Sequence, residues 1–202
     1  MSYYPIVLKL EGRPCLVVGG GVVAERKAIS LLEAGARVRV VAPRFTPRLE
    51  ALGREGVVEL VAREYQGQDL EGVALVISAA SRREVNAQVA REAGERGLLV
   101  NVVDSPRECS FIVPSVVRRG GLILAISTSG LSPALARHLR EKLEEEFGEE
   151  FGPLLELLAE LRPGAGGRTL EALRQSLGPA LELLRQGKTK EARDTLSRAM
   201  RI

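Results

Sequence analysis

The chain of 202 residues has no tryptophan and only four phenylalanines and three tyrosines. Proteins that hold single-stranded nucleic acid stack bases on aromatic side chains, so that class of partner is not expected. Histidine and cysteine are scarcer still: His138, Cys15 and Cys109 complete the count. With no C-x-x-C pair and one imidazole, no structural metal site is expected. The two cysteines read as small packing residues rather than as a disulfide. No apolar run reaches the roughly 18 residues of a membrane span, so no membrane partner is expected. The opening Met1-Ser2-Tyr3-Tyr4-Pro5 lacks the basic cluster, apolar core and cleavage site of an export signal, which makes the cytoplasm the expected location.

What the chain does have is an ordinary globular balance, 45% apolar and 27% charged, which excludes collagen-like and disordered classes. Its net charge is +3, and 24 of its 29 basic residues are arginine. Arginine suits a bidentate grip on carboxylates or phosphates, and the excess is too mild to argue for nucleic acid.

From Arg13 to about Val103, short apolar runs alternate with stretches of helical period, the pattern of repeated βαβ units around a parallel sheet. Strands are expected at Pro14–Val18, Arg37–Ala42, Val57–Ala62, Val73–Ser78 and Leu98–Val102. Helices are expected near Val22–Ala34, Thr46–Glu55 and Arg82–Arg96. Gly35 and Gly97 stand where a left-handed terminator closes a helix. After Asp104 the pattern changes. Ser110–Val117 and Leu122–Ser127, joined by Arg118-Arg119-Gly120-Gly121, predict a β-hairpin. Ser132 then caps a helix opening at Pro133 and running through Phe147, with Leu135, Leu139 and Leu143 on one face. Arg162–Gly167 reads as a linker, and helices at Thr169–Gln186 and Thr189–Met200 close the chain. The expected class is α/β: a Rossmann-like domain over 1–112, a hairpin and helix over 113–150, and a small helical domain over 151–202.

The sharpest local signal is Leu16-Val17-Val18-Gly19-Gly20-Gly21-Val22-Val23-Ala24-Glu25-Arg26-Lys27. It sets Gly19-x-Gly21-x-x-Ala24 between a strand and a helix, the dinucleotide fingerprint with alanine in its third position. Gly19 permits the tight turn and Gly21 the approach of backbone to a pyrophosphate. Gly20 and the first helical amides at Val22 and Val23 complete the cradle. The second strand ends in Val41-Ala42-Pro43-Arg44, without the acid that ordinarily holds the adenosine ribose. Arg44 either accepts a 2′-phosphate, favouring NADP, or lies alongside the adenine while the backbone near Pro43 holds the ribose.

Further segments make the chain more specific than a generic nucleotide-binding domain: Tyr4-Pro5-Ile6, Asn101-Val102-Val103-Asp104-Ser105-Pro106, Ser110-Phe111-Ile112-Val113-Pro114-Ser115 and Ser127-Thr128-Ser129-Gly130-Leu131-Ser132-Pro133-Ala134. Together with the glycine loop, and in this order over roughly residues 1–145, they resemble the precorrin-2 dehydrogenase family of siroheme biosynthesis, which includes the N-terminal module of siroheme synthase. The resemblance implies NAD-dependent oxidation of precorrin-2 to sirohydrochlorin and a homodimer built through the segment after Asp104. It also makes Asp104 the residue most implicated in catalysis. The placement suits that role: Asp104 follows the fifth strand, at the carboxyl edge where open α/β sheets bind ligands, and is the only acid expected there.

The substrate's eight carboxylates call for cations and amide donors. Arg107, Arg118, Arg119 and Arg137 are the candidates in sequence, together with the helix start at Ser132. The apolar hairpin and helix between Ser110 and Leu143 are a natural dimer surface. Two other readings stand beside this one. The same aspartate serves iron insertion into sirohydrochlorin in bifunctional relatives, and a non-catalytic NAD-sensing Rossmann module would bind the nucleotide without turnover. A fused methyltransferase is not expected on this chain.

Overall fold

The computed structural model describes residues 3–161 and 167–200. Of the expected linker, residues 162–166 lie outside that range. The described chain divides into two compact units, Met1–Val113 and Pro114–Ile202.

In the first unit, strands β1 (Pro14–Val18), β2 (Arg37–Val41), β3 (Val58–Val61), β4 (Leu75–Ser78) and β5 (Leu99–Val102) form one sheet in the order β3-β2-β1-β4-β5. Every pairing is parallel. Alternate side chains serve opposite faces. Cys15 and Val17 pack with Val38, Val40, Leu75 and Ile77 under Ala24, Ala28 and Leu31 of α1 (Val22–Glu33) and under Leu49 and Leu52 of α2 (Pro47–Arg54). Leu16, Val18, Val76, Val100 and Val102 pack on the other side against Val89 and Ala93 of α3 (Arg83–Glu95). A sheet covered on both faces buries nearly all of its central strands, which is why β1 and β4 read as apolar runs while β2 and the edge strand β3 keep the charged residues Arg37, Arg39 and Glu59. Because α1 leads from β1 to β2 while the chain later returns to lay β4 on the other side of β1, strand order reverses at β1 and a crevice opens at the carboxyl ends.

Helix ends follow local chemistry. Gly35 and Gly97 have φ of +77° and +65°. Past each, a six-residue bond closes the helix, Ala36 N–H to Leu31 O (3.0 Å) and Leu98 N–H to Ala93 O (2.9 Å). Cys15 and Cys109 are free thiols, and burial pushes the Cys15 thiol up to about 11.

The second unit holds an antiparallel hairpin, β6 (Ser115–Arg119) and β7 (Leu122–Ile126), and four helices: α4 (Pro133–Glu146), α5 (Phe151–Glu160), α6 (Gly167–Arg185) and α7 (Thr189–Met200). Leu154, Leu157, Ala180, Ala192 and Leu196 form the core of the last three. Among the described residues no helix is long and apolar enough to cross a membrane.

Two expectations need correction here. The first hairpin strand begins at Ser115, not Ser110, because Ser110 is tied to the β5 edge instead: its N–H donates to Val100 O (2.9 Å) and its Oγ accepts from Val100 N–H (2.8 Å). The turn is Gly120-Gly121 alone, with β6 running through Arg119. That arginine is a helix terminator rather than a free cation. Its Nε donates to Phe147 O (2.8 Å) and its Nη2 to Glu144 O (3.1 Å), at the end of α4. Only Ala136 of α4 is buried, while Leu135 and Leu139 face outward.

Between β3 and β4 the chain is pinned by Asp69, 3% exposed. Its carboxylate accepts from Arg63 Nη1 (2.8 Å) and Nη2 (2.7 Å) and from the Gln66 amide (2.9 Å). Burial alone would raise the carboxyl, but the Arg63 and Gln66 bonds prevail and hold it below its ordinary value of 3.8. A carboxyl depressed in the fold stabilises above its unfolded value and loses that contribution as pH falls through the lower folded one. Asp69→Asn should therefore cost about 2 kcal/mol at neutral pH. In denaturant titrations followed by circular dichroism, the gap between variant and parent should close as pH drops below about 4.

Candidate functional site

The crevice at the strand ends of the first unit is a cleft of about 1060 Å³. Its walls are the loop after β1, the loop after β2, the loop after β4 and the turn after β5. Each is fixed by a specific device.

The three glycines of the first loop differ in purpose. Gly19 has φ +123°, and a Cβ there would stand 2.4 Å from Ala79 O. At Gly20 a Cβ would stand 1.9 Å from Arg44 O, so the loop after β2 passes against bare backbone. At Gly21 a Cβ would meet nothing within 4 Å. Neighbouring loops account for the first two glycines; open cleft lies beside the third. The first bond of α1 runs from Glu25 N–H to Gly21 O (3.0 Å). The amides ahead of it, at Val22, Val23 and Ala24, therefore have no intrahelical partner and carry the positive end of the helix dipole. Ala24 is wholly buried, the small residue that lets α1 sit close to the sheet.

Pro43 and Arg44 are exposed on the facing wall. Thr46 locks that wall to the first loop. Its amide donates to Gly20 O (3.0 Å), its hydroxyl donates to the Glu25 carboxylate, and the same oxygen accepts from Leu49 N–H (3.3 Å) to cap α2. The loop after β4 is clamped by Asn86 from the first turn of α3. Its Oδ1 accepts from Ser78 Oγ (2.7 Å) and Ala80 N–H (3.0 Å), and its Nδ2 donates to Ala80 O (3.0 Å). At the end of β5, Asp104 is exposed into the cleft with φ +59°, a left-handed conformation that aspartate tolerates better than most side chains.

Gly19, Gly20, Gly21, Val22, Val23, Pro43, Arg44 and Asp104 thus line one cleft. Arg107, exposed on the short 3₁₀ turn Pro106–Glu108, is not among the lining residues. Ser132 and Arg137 belong to the second unit, where Ser132 Oγ accepts from Leu135 N–H (3.2 Å) and Arg137 pairs with Glu141 (2.9 Å). Asp104 is not the only acid at the site, because Glu64 and Glu108 line the cleft as well. Sequence reading missed Glu64, Arg82 and Asn86. The Ser81-Arg82-Arg83 run ahead of a helix was a signal for the second, whereas nothing in the spacing marked the other two.

The residues fit a dinucleotide: the helix whose first amides lack intrahelical partners opens at the cleft, the space beside Gly21 is free, and the cleft is as large as the sites that hold cofactors.

Comparison with known proteins agrees with the fold. A family described as "Putative NAD(P)-binding" matches residues 6–115, and one described as "Sirohaem biosynthesis protein central" matches residues 119–146. Siroheme synthase 1 of Aeromonas salmonicida is 50% identical over 143 residues, covering 71% of this chain and 31% of that protein. The siroheme synthase of Methylococcus capsulatus is 42% identical over 206 residues, covering 98% of this chain and 44% of that protein. The chain therefore matches only 31% to 44% of the length of these relatives. The solved structure of SirC, precorrin-2 dehydrogenase, superimposes with a TM-score of 0.77 at 28% identity, covering 97% of this chain and all of that one.

The glycines should separate by experiment. Gly20→Ala is expected to lower the melting temperature by several degrees, because its methyl has only backbone to displace. Gly21→Ala, at an N-cap with φ −84° and no close neighbour, should cost only about 0.5–1 kcal/mol. Isothermal titration with NAD should nonetheless find its binding weakened about tenfold or more, since the methyl enters the space a phosphate would occupy.

Proposed function

Because the chain belongs to the NAD(P)-binding family that its residues 6–115 match, and continues into a sirohaem-biosynthesis central region, we propose that it is a precorrin-2 dehydrogenase, oxidising precorrin-2 to sirohydrochlorin with NAD. The observation that carries this reading is Asp104, a carboxylate held at the carboxyl edge of β5 in the same cleft as the glycine loop. Gly19 to Val23 are proposed to hold the pyrophosphate, and Pro43 and Arg44 to flank the adenosine.

A bound NAD supplies the hydride acceptor for the reaction. What the protein supplies is position and a base. Each two-electron oxidation releases a proton beside the hydride, and Asp104 is proposed to take it or to orient the carbon that loses it. Its exposure leaves a route for the proton to water. The clamp of Asn86 on Ala80 holds the loop after β4 in place where it forms a wall of the cleft. Arg107, Arg137 and the amides beyond Ser132 are proposed to meet the substrate's carboxylates, with Arg137 exchanging Glu141 for substrate.

We place the reaction in the cytoplasm and in a homodimer. Leu131, Leu135 and Leu139, exposed by 89%, 49% and 38%, support an interface on the second unit. A particle of one chain's mass in light scattering would overturn the dimer.

The function itself is tested by mixing protein, precorrin-2 and NAD and following the absorbance of reduced cofactor. Asp104→Asn is the variant of choice, since asparagine accepts the left-handed backbone while removing the base. It should fold as the parent does and lower the rate roughly 10²- to 10³-fold. Parental turnover in that variant would remove Asp104 from the chemistry.

A further inference from the structure

The usual Rossmann acid, which holds the adenosine ribose and repels a 2′-phosphate, is missing where β2 ends in Ala42-Pro43-Arg44. Taken alone, Arg44 would welcome that phosphate. The fold supplies a carboxylate from elsewhere. β3 lies directly beside β2 in the sheet, and three residues beyond its last strand position Glu64 lines the same cleft as Arg44. Glu64 is not idle there: Arg82 Nη1 approaches its Oε1 at 3.7 Å. Arg82 stands in the loop after β4, and β4 is separated from β3 by β1 and β2. The ion pair therefore joins the loops on either side of the two strand ends over which a dinucleotide's adenosine half would lie. Both side chains stay more than half exposed, at 60% and 64%, so a ligand can reach them.

We infer that the Glu64–Arg82 pair sets the choice between NAD and NADP. This rests on the cofactor reading of the cleft given above. Glu64 acts in two ways. Its oxygens are acceptors for the ribose hydroxyls, replacing the acid absent after β2. Its charge also draws Arg82, whose other acid, Glu84, stands at 4.0 Å; without Glu64 that guanidinium would add to Arg44 as a second cation for a 2′-phosphate. The selectivity of the site is thus carried by a residue one strand further out than the fingerprint would place it, and it is an electrostatic balance rather than a steric block.

Exposed ion pairs contribute little to folding, so these side chains can be changed without unfolding the protein. The test is isothermal titration of NAD and of NADP into the full chain, parent and variants, at low and moderate salt. The parent should prefer NAD. Glu64→Gln should strengthen NADP binding about tenfold and weaken NAD binding a few-fold. The NADP gain should shrink with salt, as a charge effect must. In the double variant Glu64→Gln with Arg82→Ala, the gain should vanish, because the released guanidinium is what grips the phosphate. A ratio of NADP to NAD affinity within twofold of the parent in Glu64→Gln would overturn the inference. So would a gain that survives removal of Arg82. Failure of the parent to bind either dinucleotide would overturn the cofactor reading and the inference together, whereas binding of both without a Glu64 effect would spare the former and sink the latter.

Discussion

Everything about the cleft depends on how closely three loops approach at the reversal of strand order. The carbonyl of Arg44 passes so near Gly20, and that of Ala79 so near Gly19, that only hydrogen fits between them. Those two contacts fix the loops after β2 and β4 relative to the loop after β1, with Thr46 and Asn86 as the hydrogen-bonded fasteners. The consequence is that α1 starts, with its first amides free of intrahelical partners, at a preformed space and not at a loop that must be ordered by ligand. Preorganisation of this kind converts directly into affinity, since the ordering entropy is not charged to binding.

Charge at the site is arranged along the same frame. Arg44, Arg82 and Arg83 border the cleft, with Glu64 set among them and Asp104 at the far turn. Outside it, arginines serve the fold: Arg63 neutralises buried Asp69, and Arg119 terminates α4. An arginine-rich composition therefore says little about ligands until each guanidinium's partners are known. Arg118, Arg119, Arg107 and Arg137 were equal candidates in sequence. Geometry distinguishes Arg119, whose guanidinium is 16% exposed and committed to backbone carbonyls, from Arg137, whose partner Glu141 sits on an exposed helical face and is easily exchanged.

The sheet was legible because burial on both faces leaves an unmistakable pattern. β1 was found to the residue, and the ends of the other strands fell within two positions, since Gly35 and Gly97 mark helix ends by a backbone requirement visible in the residue type itself. The glycine loop was legible for the same reason. Ser110–Pro114 was misread because its apolar alternation resembles a strand, whereas the bond from Ser110 to Val100 lies in tertiary structure. Glu64 and Asn86 were illegible on principle. Their roles come from β3 lying beside β2 and from α3 opening at the cleft, facts of topology that no local spacing encodes. The second purpose of Gly20 was likewise hidden, because a sequence does not say whose carbonyl will pass by.

Asp104 joins these levels in one residue. Its left-handed backbone is a turn requirement, which glycine meets without strain and aspartate or asparagine meets better than most side chains. Non-glycine residues in that conformation carry a cost that a freely chosen glycine would remove. At the same turn the chain is bonded to the strand ends, Val103 N–H to Ser78 O (2.9 Å) and Ser105 N–H to Val102 O (3.3 Å), so the carboxylate is displayed from a hydrogen-bonded base and not from a loose loop. A charged side chain kept where glycine would relieve the backbone, and held facing the cleft, is arranged at a cost that stability does not repay. On the proposed reading, the compensating gain is what the carboxylate does to a ligand, and the bonded turn would let it do so with little reorganisation.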